Sequence, residues 1–271
     1  MAFRSALFAP GIFDGQVALI TGGGTGIGLV TAREMASLGA KVVIASRSEE
    51  KLRAGERELH SDGAEVLAKT CDIREPSQID ALVDAALERF GRIDVLVNNA
   101  GGQFPTPAEQ LVPKGWDAVI RNNLNGTFYV TRAVADKAMI PQRRGRIVNV
   151  IANILRGFPG MVHTGAARAG VENMTKTLAI EWARYGIQVN ACAPGTIVSS
   201  GTAQYGDALL EIARKATPAK RLGTPEEVSR VIVFLASQLN AYVTGSTYYI
   251  DGAASLWGDI WAIEDQAETK S

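Results

Sequence analysis

The stretch HTGAARAG (163–170) holds the side chains best suited to act on a substrate: His163, Thr164 and, four residues on, Arg168. A hydroxyl, an imidazole and a permanent cation can donate hydrogen bonds to an oxygen that gains negative charge during reaction. A threonine hydroxyl is too weak an acid to surrender its proton, though it can still donate a hydrogen bond. His163 has a free pKa near neutrality and could donate to that oxygen or relay a proton; a buried, structurally bonded histidine is an equal alternative.

A second constellation lies near the start of the chain. In VALITGGGTGIGLV (17–30), Gly22, Gly26 and Gly28 follow an apolar run and open an amphipathic one. Glycines there let the backbone approach a pyrophosphate, and a helix N-terminus offers unpaired N–H groups and a favourable dipole. The end of the next apolar run selects the dinucleotide. Where an NAD site usually has a carboxylate, this chain has Ser46 and Arg47, groups suited to a phosphate monoester. NADP(H) is therefore expected; the alternative is a solvated Arg47 beside Glu49 and Glu50. Asp72 could accept from an adenine amino group, or cap a helix ahead of Pro76. Asn99, Ala100 and Gly101 allow another close backbone approach to the cofactor, though a tight turn alone would explain the glycines.

These groups need a scaffold. Apolar, β-branched runs at 16–21, 40–46, 64–72, 92–100, 145–152, 187–194 and 246–251 read as strands without polar alternation, as in a parallel sheet covered on both faces. Helical spacing between them, stopping at Gly39 and at Gly91, predicts a single α/β domain: a doubly wound sheet of about seven strands over 15–256. Residues 1–14 read as an N-terminal extension and 257–271 as a tail. The Gly/Ser/Thr-rich loop after the sixth run, near 198–220, sits where a substrate lid would, or is a mobile surface connection.

Lys plus Arg and Asp plus Glu both number 28, which gives no electrostatic case for nucleic acid or an anionic membrane. Cys71 and Cys192 lie in apolar runs without metal spacing, so they are expected in the core and no metal is expected. No apolar stretch reads as a signal peptide or membrane span, and a cytoplasmic location is the default. The basic runs at 141–146 and 218–221 read as solvated faces.

Several spaced motifs, TGGGTGIG, NNAG, Asn123 in NNLNGTF, GRIVNV, APGTIVS, RLGTPEEV and VTGSTYYIDG, together resemble the short-chain dehydrogenase/reductase family from about Gly11 to Gly252. The resemblance implies a Rossmann fold. It places Gly22, Thr25, Gly26, Ile27, Gly28, Asp72, Ile73, Asn99, Ala100, Gly101, Pro194, Gly195, Ile197 and Ser199 around the cofactor, with Ile197 and Ser199 at the carboxamide and Asn123 holding a water. It also implies a serine near 151–153, a tyrosine at 164 and a lysine at 168, none of which is present. GGQFPTPAE and GFPGMVHTGAARAGV resemble the enoyl-CoA and dienoyl-CoA reductase branch, where a small hydroxyl residue also replaces the tyrosine. That branch implies an NADPH-dependent reduction of a 2-enoyl-CoA, with Thr164 donating to the enolate and Arg168 gripping the ribose. Dienoyl-CoA and 3-oxoacyl or carbonyl reduction remain alternatives, with His163 or Tyr205 as the acid in the carbonyl case. An NADP-binding regulatory subunit is the non-enzyme alternative. The family implies a homotetramer or dimer.

Overall fold

The computed structural model describes residues 4, 5, 7–199 and 206–257. Seven strands form one sheet: β1 Val17–Thr21, β2 Lys41–Ser46, β3 Val66–Thr70, β4 Val95–Asn98, β5 Gly145–Val150, β6 Ile187–Pro194 and β7 Thr247–Ile250. Their order is β3-β2-β1-β4-β5-β6-β7, with every pairing parallel. The expected fold class holds.

The continuous apolar runs have a direct explanation. Ala18 and Ile20 enter one core cluster with Val42 and Ile44, while their neighbours Val17 and Leu19 enter another with Val43 and Ala45. Successive side chains point to opposite faces, so a sheet buried on both sides needs apolar residues at every position. Helices α1 (Gly26–Ser37) and α9 (Pro225–Ala236) contribute to the first cluster. The second is covered by α3 (Pro76–Phe90), α5 (Gly126–Val134) and α7 (Val162–Trp182), and α2 (Glu49–Ser61) packs on β2 and β3. Gly91 ends α3 at φ 75°, in the left-handed conformation that glycine adopts without steric cost.

The helical segment between β4 and β5 is interrupted. It runs α4 (Pro113–Ile120), a π segment Arg121–Asn125, α5, a second π segment Ala135–Met139, and a last short turn α6 (Ile140–Gln142). The first π segment contains Asn122 and Asn123, at a kind of bulge that often marks functional positions. Both cysteines are buried, Cys192 in β6 and Cys71 just after β3. Burial pushes the Cys71 thiol up to about 11, and raises that of Cys192 further, which fits inert core residues. The expected lid is described only in part. Helix α8 (Gly206–Ala216) lies within it and has no buried residue, and Tyr205 lies outside the described residues.

Candidate active site

The strand order reverses direction between β1 and β4, and the loops after both strands are sewn together there. The Thr21 hydroxyl accepts from the backbone N–H groups of Asn99 (3.1 Å) and Ala100 (3.0 Å). The Asn99 amide donates to the carbonyls of Thr21 and Gly22 at 3.1 and 3.2 Å. Gly28 must be glycine: a Cβ there would fall on the Gly22 carbonyl oxygen and lie 2.6 Å from Asn99 Nδ2. Its role is to let α1 approach, because it does not itself line the opening.

The result is a crevice of about 740 Å³ at the carboxyl ends of the strands. It brings together Gly22, Thr25, Gly26, Ile27, Ser46, Arg47, Asp72, Ile73, Asn99, Ala100, Gly101 and Ser199. Thr25 precedes α1 without a side-chain cap, which leaves the first-turn N–H groups of that helix available to an anion. Size, glycine cradle and helix terminus fit a dinucleotide. Pro194, Gly195 and Ile197 are not among the residues that line this opening. Gly195 donates to the Ile250 carbonyl at 3.0 Å, and Ile197 is buried and bridged to Gly223.

At the end of the crevice near β2, Arg47 is exposed and forms no ion pair with Glu49 or Glu50 among the described residues. Asp72 does not cap α3, whose N-cap is Glu75. Its carboxylate is instead gripped by Arg74, with Nε at 2.9 and 3.0 Å and Nη2 at 2.5 Å. That side-chain bond, helped by the Arg74 backbone N–H and by Arg47, holds the Asp72 carboxyl below its usual range against the opposing effect of desolvation. Sequence reading missed Lys51, Arg74 and Asn122, which line the same crevice. The one available signal was that Arg74 lies two residues beyond Asp72.

Beyond Gly101 the surroundings are closed. His163 and Thr164 are both fully buried at the first turn of α7. The Thr164 N–H donates to His163 Nδ1 at 2.8 Å, and the Thr164 hydroxyl lies 3.3 Å from the same nitrogen. A nitrogen that accepts from a backbone N–H carries no proton, so Nε2 carries it; Nε2 is buried without a hydrogen-bond partner among the described residues. Phe104, on the loop after β4, sets its ring edge-on to the imidazole at 4.7 Å. The sequence reading aims the Thr164 hydroxyl at substrate; in the structure it is enclosed, and reaches a substrate only when its surroundings open.

Arg168, one turn further along α7, is 8% exposed, and its Nη1 donates to the Val150 carbonyl at 3.0 Å. Desolvation lowers its pKa to about 10, which leaves it cationic at neutral pH. It has no ion pair among the described residues. A Cβ on Gly101 would fall on its Nη2, so the guanidinium abuts the loop that lines the crevice. A buried cation with donors to spare is a strong site for an oxygen ligand.

Asn123 is a clamp. Its Nδ2 donates to the carbonyls of Gly102 (2.7 Å) and Val119 (3.2 Å), while its Oδ1 accepts from the Gly102 N–H at 3.1 Å. Its own carbonyl accepts from the Thr127 hydroxyl at 2.8 Å. Both amide hydrogens of Asn123 are thus spent, and any water it holds must donate to a remaining lone pair on one of its two oxygens. Asn153, in the region expected to carry a serine, turns its amide to Asp251 at 3.0 Å. Lys176 pairs with Glu172 on the surface. Of the basic runs, Arg143 and Arg146 bond to Arg184 and Gln188, and Arg221 is held by Glu227. Among the described residues no acidic, histidine or cysteine cluster is placed to hold a metal, and no helix is long and apolar enough to cross a membrane.

Residues 22–254 match a family model described as Enoyl-(Acyl carrier protein) reductase. The chain is 38% identical over 246 residues to a probable 2,4-dienoyl-CoA reductase, (2E)-enoyl-CoA-producing, of Bacillus subtilis, covering 89% of this chain and 97% of the relative. Among solved structures, a citronellol catabolism dehydrogenase from Pseudomonas aeruginosa shares 46% identity and a TM-score of 0.84, over 92% of this chain and 98% of that one. A gluconate 5-dehydrogenase from Burkholderia cenocepacia, solved in complex with NADP and tartrate, shares 38% identity and a TM-score of 0.84, over 89% of this chain and 96% of that one.

Proposed function

The chain belongs to the short-chain dehydrogenase/reductase family, and from that premise we propose that it uses NADPH to reduce the α,β double bond of a 2-enoyl-CoA. The observation that carries this reading is the buried Arg168 guanidinium beside Gly101, which has no ion pair among the described residues, together with a threonine where a tyrosine would protonate an alkoxide. Carbonyl reduction needs a proton delivered to oxygen; enoyl-thioester reduction needs only that negative charge on the thioester oxygen be stabilised. NADPH supplies hydride to the β-carbon, and the α-carbon then takes a proton.

In this reading Arg168 holds the ribose hydroxyls and spreads positive potential toward the enolate. Thr164 and His163 add neutral donors, and the unpartnered Nε2–H of His163 gains an acceptor once a substrate enters. Arg47 and Ser46, with no carboxylate at the end of β2, favour a 2′-phosphate. The likeness to a probable 2,4-dienoyl-CoA reductase supports an acyl thioester as substrate, straight or branched. We also propose a homotetramer or dimer, paired through the helices of the 116–139 and 166–185 segments.

The test is NADPH oxidation measured side by side with crotonyl-CoA, a 2,4-dienoyl-CoA and acetoacetyl-CoA. Turnover of crotonyl-CoA is expected. Turnover of acetoacetyl-CoA alone would replace this reading with carbonyl reduction, and tight NADPH binding without turnover would mark a regulatory subunit.

A further inference from the structure

The crevice end beside β2 and β3 is lined by three cations, Arg47, Lys51 and Arg74, and by one carboxylate, Asp72. An uncompensated carboxylate there would repel a phosphate dianion, as the acidic residue of an NAD site does at the end of the second strand. Here the carboxylate is not uncompensated. Arg74 reaches both of its oxygens through Nε and Nη2, and its backbone N–H donates to Oδ1 at 3.0 Å. Arg74 is itself fixed from behind, because its carbonyl accepts from Arg121 at 3.4 Å and Arg121 pairs with Glu75 at 2.8 Å.

We propose that Arg74 is a specificity-determining residue: by cancelling the charge of Asp72 it leaves this end of the crevice positive and lets Asp72 stay within the site without excluding a 2′-phosphate. The inference rests on the NADPH reading above and adds a second determinant to it, on a different strand end from Arg47. Arg74 acts here through Asp72 and need not touch the phosphate. The resulting field acts across a few ångströms of partly screened space, where one unit charge changes phosphate affinity by roughly tenfold.

Binding alone tests this, with 2′,5′-ADP and 5′-AMP as probes that differ only in the 2′-phosphate, followed by calorimetry on the full-length protein. The wild type should prefer 2′,5′-ADP; equal affinity would overturn the NADPH reading itself. Arg74→Gln should weaken 2′,5′-ADP roughly tenfold more than 5′-AMP. Adding Asp72→Asn to that variant should restore most of the lost discrimination, because the carboxylate left exposed by the first change is then gone. Equal weakening of both probes by Arg74→Gln would reduce Arg74 to a structural role. Failure of the double variant to recover would show that Arg74 binds the phosphate directly, and would equally overturn the proposal. Thermal unfolding of the unliganded variants separates either result from a folding defect.

Discussion

Replacing Gly101 with alanine places one methyl group between the two side chains that frame the reacting end of the crevice. Built on the existing backbone, that methyl would fall on Arg168 Nη2 and lie 2.7 Å from Asn123 Oδ1. Neither contact is tolerable, and the two neighbours differ in how they can yield. Arg168 donates to the Val150 carbonyl, and its guanidinium is the far end of a flexible side chain. Asn123 is held through both amide atoms to Gly102 and is the stiffer of the two. The guanidinium should move. A charge-assisted hydrogen bond contributes about 1.5–3 kcal/mol, and each 1.4 kcal/mol is about a factor of ten in rate. Losing one such bond to the ribose or the developing oxyanion should therefore lower kcat/KM for crotonyl-CoA roughly ten- to hundredfold. Gly101 has no positive φ and lies at the surface of the crevice, so the melting temperature should change little. The assay pairs steady-state NADPH oxidation with an NADPH titration and thermal unfolding. Wild-type kinetics and wild-type NADPH affinity at an unchanged melting temperature would refute the placement of Arg168 against this loop as a functional contact.

Thr164→Ala should lower kcat by roughly tenfold or more, on the scale of losing one oxyanion donor, with wild-type rates removing Thr164 from the mechanism. Thr175→Val strips the partner from the buried Asn149 amide, bonded at 2.9 Å, and leaves that donor unsatisfied. It should cost about 1–3 kcal/mol in denaturant unfolding while leaving NADPH affinity intact. Because Arg74 depresses the Asp72 pKa, the pair stabilises the fold above the unfolded value of about 4, and the contribution is lost as pH falls below it. The stability difference between the wild type and Asp72→Asn should thus be present at pH 7 and shrink progressively as the pH falls below the free aspartate value of about 3.9; a difference unchanged by acidification would show that the ion pair is not its source.

The sequence by itself determined the architecture and the nucleotide crevice, because both follow from local rules. Apolar residues at every position of 17–20 and 42–45 require burial on both faces, and glycines between a strand and a helix require close backbone approach. It also showed that Thr164 and Arg168 stand where the family resemblance implies a tyrosine and a lysine. What only the tertiary structure decided is how those groups are spent. That Asn123 is consumed by Gly102 and that Phe104 seals His163 are contacts between residues 21 and about 60 positions apart. Arg74 neutralises Asp72 from only two positions away, yet its importance appears only when β2 brings Arg47 to the same opening. Spacing along a chain fixes which faces side chains share within one element; which partner each side chain finds across elements is set by packing, and the residual charge of a site is the sum of those partners.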